Sequence, residues 1–131
     1  MNKTILITAS LFGILGIILG AFGAHGLKAF IPIEAQQSFE TGVRYQIYHA
    51  FFLFFVGSNA TVRPKAKKAI YFLTLLGVLL FSGSIYGLAT NTLTTFNFKT
   101  IGIVTPIGGL LLISAWVVLL FNFLKIKSKY I

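Results

Sequence analysis

The chain has 131 residues, of which 56% are hydrophobic and 10% charged, with a net charge of +9. Soluble domains carry roughly a quarter of their residues as charges, so this composition describes one membrane-embedded domain. The basic residues stand between long apolar runs, which assigns them to topological anchoring and anionic lipid and excludes nucleic acid as a partner, while the lack of cysteine excludes disulfides and thiol catalysis.

In chain order, a basic start at Lys3 leads into a first apolar run, residues 4–24, long enough to cross a hydrocarbon layer of about 30 Å. The run exceeds a signal-peptide core and is read as an uncleaved helix. Its small residues Ala9, Gly13, Gly16, Gly20 and Ala24 recur at steps of three and four, the spacing of a close helix-packing stripe. The run ends at Gly23-Ala24-His25-Gly26, where glycines bracket a histidine and permit a turn. Residues 32–42 form an amphipathic pattern, with Pro32 and Glu34 suited to a helix start, and are read as a short interfacial helix leading into a second span over residues 43–60.

A polar connector carrying Arg63, Pro64, Lys65, Lys67 and Lys68 follows, then a third span over residues 69–88, in which Gly83 and Gly87 form a small-xxx-small pair. Beyond a threonine-rich loop with Lys99, the fourth span covers residues 101–123. It opens on Thr105-Pro106-Ile107-Gly108-Gly109, where Gly108 and Gly109 suit helix packing and the proline is expected to free backbone carbonyls. The fold class is thus an all-α membrane protein, a single domain of four transmembrane helices in a compact bundle. Eight basic residues (Lys3, Arg63, Lys65, Lys67, Lys68, Lys125, Lys127 and Lys129) fall on the side of the termini against three (Lys28, Arg44 and Lys99) on the other, so both termini are expected in the cytoplasm.

That topology gathers the chain's unusual polar residues at one level, the outer half of the membrane: His25, Glu40, Arg44, Tyr45, Gln46, His49, Tyr86 and Thr105. Glu40 and Arg44 are spaced for an i,i+4 ion pair that eases burial of the arginine. His49, buried one turn deeper, needs a hydrogen-bond partner, and His25 is one candidate. A structural histidine is preferred over haem ligation by His25 and His49, over quinone binding and over a proton relay with Glu40, and no cofactor is expected. A zinc site lacks ligands, and Ser82 and Ser84 lack a base on their own helix, so they are read as packing hydroxyls.

The blocks Gly20-Ala21-Phe22-Gly23-Ala24-His25-Gly26-Leu27, Thr41-Gly42-Val43-Arg44-Tyr45-Gln46-Ile47-Tyr48-His49-Ala50, Gly83-Ser84-Ile85-Tyr86 and Thr105-Pro106-Ile107-Gly108-Gly109 closely resemble, in order and over nearly the whole chain, the signature of domain-of-unknown-function family 423. These are small bacterial inner-membrane proteins, related to the mitochondrial transmembrane protein 256. The resemblance implies a four-helix inner-membrane protein without an assigned activity. One departure is Ser114-Ala115 before Trp116, where the family pattern leads one to expect a glycine. The reading reached is a non-enzymatic accessory or assembly factor that binds lipid or a protein partner, in a homo-oligomer or larger membrane complex. The alternative is a small transporter or proton-coupled permease using Glu40, Arg44 and His49.

Overall fold

The structure, a computed structural model, describes residues 1–93 and 102–126. The expectations for Lys99, Lys127 and Lys129 concern residues outside that set. Among the described residues the chain is all helical: α1 (Asn2–Ala24), α2 (Ile33–Ser58), α3 (Pro64–Ala89) and α4 (Val104–Leu124), with short 3-10 turns at Leu27–Ala29 and Asn91–Leu93. Three of the four, α1, α3 and α4, are long and apolar enough to cross a membrane. The other, α2, carries Glu34, Glu40 and Arg44 and is not among them.

Local chemistry explains where the boundaries depart from the expected ones. Residues 33–58 form one continuous helix rather than a short interfacial helix followed by a span, with Pro32 as extended N-cap outside it. Gly42, at the expected junction, remains helical, since no described residue has a positive φ. α3 starts at Pro64 rather than after the basic connector, because a proline at the first helical position lacks only an N–H that would be unpaired anyway. The same reasoning corrects the expectation for Pro106. It is the third residue of α4, inside the first turn, and so breaks no bond within the helix. The chain leaves α1 through a right-handed Gly26 (φ −68°) into the Leu27–Ala29 turn, without using the left-handed freedom expected of its glycines.

Glycines set the helix register. Gly23 lies against Phe39, Gly20 against Val43, Gly16 against Ile47, and Gly57 against Ile5 and Leu6, so each step back along α1 matches an equal step forward along α2. At 1.5 Å per residue, α2 accompanies α1 for about 27 Å. Between α3 and α4, Gly77 meets Leu112 and Gly108 meets the backbone of Leu80 and Phe81. A core of Ile5, Phe12, Leu53, Val56, Ile70, Val78 and Leu119 fills the bundle, and a second cluster of Leu27, Ile31, Phe39, Val43 and Ala89 closes the end where α1 finishes. The outer surface is more apolar than a soluble protein tolerates: Ile14, Ile17, Ile18, Phe51, Leu79, Leu110, Ile113 and Leu120 are all exposed.

Two expected packing glycines, Gly13 and Gly83, have open space where a side chain would stand, because both turn away from the neighbouring helices. Gly109 is in ordinary contact with Phe81, and Gly87 is half-buried. The glycines that the small-residue stripes passed over, Gly42, Gly57 and Gly77, are close-contact positions. Accordingly, Gly108→Ala, whose methyl would lie 2.3 Å from the Phe81 nitrogen, is expected to cost about 3 kcal/mol or more. Gly83→Ala is expected to change stability by less than about 1 kcal/mol, in the stabilising direction. Thermal unfolding of both variants in mild detergent, followed by circular dichroism, checks the contrast.

Candidate functional site

The polar residues divide into an internal network level with the middle of α1 and an open cavity at the first-loop end, where α1 finishes and α2 begins. Gln46, 5% exposed, is the hub of the first. Its amide nitrogen donates to the Phe12 carbonyl on α1 (2.9 Å), and its amide oxygen accepts from the Tyr86 hydroxyl on α3 (2.7 Å). Phe12 sits one turn before Gly16, and Gly16 supplies the space: a side chain there would stand 2.7 Å from Ile47 and 3.5 Å from the Gln46 nitrogen. Beside it, the Ser82 hydroxyl donates to the Gly42 carbonyl (2.7 Å), and Tyr86 lies over the bare Gly42 backbone. Thr105 is hydrogen-bonded to Ser84, which links α4 to α3. Ser82 and Ser84 thus link neighbouring helices.

His49, 3% exposed, has both ring nitrogens engaged. Nδ1 lies 2.7 Å from the Tyr45 carbonyl, and Trp116 Nε1 lies 3.1 Å from Nε2. An indole N–H only donates and a carbonyl only accepts, so the imidazole is neutral with its proton on Nδ1. Phe52 and Trp116 flank the ring. The partner of His49 is therefore Trp116, on the last helix, and not His25, which is exposed at the C-cap of α1. The two histidines are not brought together, so the paired ligation considered for haem is not formed.

Nor do Glu40 and Arg44 pair. Among the described residues no ion pair links them, and the guanidinium reaches Thr41 Oγ1 at 3.5 Å. Both are exposed on the surface of the chain. They line a cavity of about 480 Å³ between the end of α1 and the first half of α2, with Gly20, Gly23, Phe39, Val43 and Ile47 as its apolar part and Lys28, Gln36, Glu40 and Arg44 as its polar part. Gln36 holds this end in shape by donating to the Lys28 and Ile31 carbonyls, both at 3.0 Å. His49 lies elsewhere, in a depression of about 290 Å³ with Tyr45, Phe81 and Trp116. α2 itself thus separates Glu40 and Arg44 from His49, because five residues turn a helix by roughly 140°.

Sequence reasoning missed the Phe12 carbonyl, Gln36 and the role of Trp116. Gln36 alone left a signal, an amide in the first turn of an amphipathic helix next to a tight connection. Among the described residues no group of three His, Cys, Asp or Glu side chains is placed to hold a metal ion. Gln46→Leu, which leaves the Tyr86 hydroxyl without its acceptor, is expected to lower stability by about 1 to 2 kcal/mol. A double-mutant cycle with Tyr86→Phe, measured by thermal unfolding in detergent, is expected to return a non-zero coupling of about 0.5 to 1.5 kcal/mol, because the second truncation costs less once the first has removed the bond.

Residues 19–109, which contain every member of the network except Phe12 and Trp116, match a family model described as "Protein of unknown function (DUF423)". The chain is 34% identical over 128 residues to a UPF0382 membrane protein of Haemophilus influenzae, covering 98% of this chain and 99% of that one. It is 35% identical over 119 residues to the UPF0382 membrane protein YwdK of Bacillus subtilis (89% and 93% of the two chains). It is 31% identical over 131 residues to the UPF0382 inner membrane protein YgdD of Escherichia coli (98% and 95%). No solved structure matches. With an apolar exterior, three helices long enough to span a bilayer and full-length likeness to these proteins, the chain belongs to the DUF423 family of integral membrane proteins.

Proposed function

We propose that this protein is a four-span, non-enzymatic accessory or assembly factor of the inner membrane, which binds a lipid or a partner's membrane segment in the cavity at the first-loop end. The observation that carries the reading is the make-up of that cavity: an apolar part formed by Gly20, Phe39, Val43 and Ile47 beside two cations, Lys28 and Arg44, against one anion, Glu40. This is the pattern that suits an amphiphile with an anionic head. Deeper in the bundle Gln46, Ser82, Tyr86 and His49 are each hydrogen-bonded to protein, and Thr74 Oγ1 is the buried side-chain atom without a partner among the described residues, which leaves few groups for chemistry. The transporter reading is less well supported, since His49 lies on the other side of α2 from Glu40 and Arg44 and has both nitrogens in use.

The register supports α2 as a fourth span, with Gln46 and His49 turned toward protein and Glu40 and Arg44 lining the cavity near its outer end. If α1 crosses the bilayer, the stretch from Phe39 to Gly57 runs alongside it throughout. Residues 33–38 reach past the end of α1 and form the interfacial part. Lys3, Arg63, Lys65, Lys67, Lys68 and Lys125 share the opposite end, which supports both termini in the cytoplasm. The natural absence of cysteine makes this simple to test. A cysteine introduced at Thr61 is expected to react with an impermeant maleimide only after the inner face is exposed, and one at Ala29 from the outside of intact cells; the reverse pattern would overturn the topology. For the function, native mass spectrometry of the protein purified in mild detergent is expected to show a stoichiometric lipid or protein partner. Retention should fall about tenfold in Arg44→Ala, as for loss of a charge-assisted contact. A chain that carries nothing would sink the reading.

A further inference from the structure

At the basic-loop end, where α1 and α3 start, a buried cation has no anion beside it among the described residues. Lys67, in the first turns of α3, is only 6% exposed. Among the described residues its ammonium makes one hydrogen bond, to Asn2 Oδ1 at 2.9 Å, although it has three N–H groups to place. The chain's two acids, Glu34 and Glu40, both lie in the N-terminal half of α2, at the other end of an antiparallel helix. A buried charge held by one neutral amide is an unfavourable arrangement unless something else neutralises it.

The surroundings raise the local positive potential further. Lys67 lines a groove of about 560 Å³ together with Asn2, Lys3, Val62 and Pro64. The first turn of α3 contains no acidic residue and its N-cap, Arg63, makes no side-chain cap, while Lys65 and Lys68 add two exposed cations nearby. Helix starts favour negative charge, yet this one collects lysines. The Asn122 amide fixes the adjoining loop: its oxygen accepts from the Arg63 N–H (3.1 Å) and its nitrogen donates to the Thr61 carbonyl (3.0 Å).

We propose that this groove is a phosphate-binding site, with Lys67 as its buried cation and Lys3 at its mouth, filled by the phosphate of an anionic phospholipid or by free phosphate. The site is distinct from the cavity at the first-loop end and stands or falls separately from it. Asn2 holds the Lys67 ammonium in place and leaves its remaining N–H groups for the anion. Lysine suits the task as a compact point charge that a single phosphate oxygen can meet.

The test is thermal unfolding of the full chain in mild detergent at about 0.3 M salt, where exposed charges are screened. It is run with inorganic phosphate, with short-chain phosphatidylglycerol and with short-chain phosphatidylcholine. The midpoint of the parent protein is expected to rise with phosphatidylglycerol and not with phosphatidylcholine. A rise with inorganic phosphate as well identifies free phosphate as sufficient, whereas a rise with the lipid alone identifies the headgroup in its membrane setting. Lys67→Met is expected to be at least as stable as the parent without ligand, since it removes an uncompensated charge, and to need about ten times more ligand for the same rise. Lys65→Met, which removes the same charge outside the groove, is expected to respond within about twofold of the parent. Should Lys67→Met fail to fold, Lys3→Met carries the test, with an expected loss of about threefold. Equal losses in Lys67→Met and Lys65→Met, or no response of the parent to either phosphate source, would overturn the site.

Discussion

The bundle depends on the way α2 satisfies its polar groups against its neighbours. A buried donor or acceptor has no water to fall back on and must find protein, as every fully buried polar side-chain atom among the described residues does except Thr74 Oγ1, which has no partner. Gln46 does so in two directions at once, to the Phe12 carbonyl and the Tyr86 hydroxyl, and thereby fixes α1, α2 and α3 at one level. His49 performs the same service toward α4 through Trp116. Each bond contributes modestly, about 0.6 kcal/mol on average for interhelical bonds in membranes, but a slip by one turn would break all of them together.

The glycines make those bonds reachable. Gly16 brings the α1 backbone within range of the Gln46 amide, and Gly42 lets Tyr86 cross α2 closely enough to reach the same side chain. Gly77 and Gly108 do the equivalent for α3 and α4 without polar bonds, by letting backbone meet side chain and backbone directly. With lipid as apolar as leucine, such close packing substitutes for the hydrophobic drive that holds soluble bundles together. The apolar residues that a soluble protein would bury are displayed outward along all four helices.

Charge is kept to the ends, and the two ends differ. At the first-loop end, acids and bases mix around an apolar cavity, with Glu40 and Arg44 exposed and unpaired with each other. At the basic-loop end the charged side chains among the described residues are cations, one of them buried. The first arrangement suits an amphiphile entering from the side and the second suits an anion.

Much of this was legible in the residues themselves. Run length and composition determine that the chain is helical and belongs in a membrane, because hydrocarbon leaves few other ways to satisfy the backbone. The order of the blocks also placed His25, Glu40, Arg44 and Tyr86 at one end of the bundle. What the tertiary structure decided was who meets whom. Periodicity assigned Gly13 and Gly83 to packing stripes, yet they face open space, since a stripe of small residues does not say which of its members a neighbouring helix will touch. Spacing suggested a Glu40–Arg44 pair and a His25–His49 meeting. Arg44 reaches Thr41 rather than Glu40, and Trp116, distant in sequence and silent in pattern, supplied His49. The carbonyl of Phe12 and the burial of Lys67 were beyond any reading of residue types, because backbone acceptors look alike in sequence and burial depends on the approach of α1 to α3.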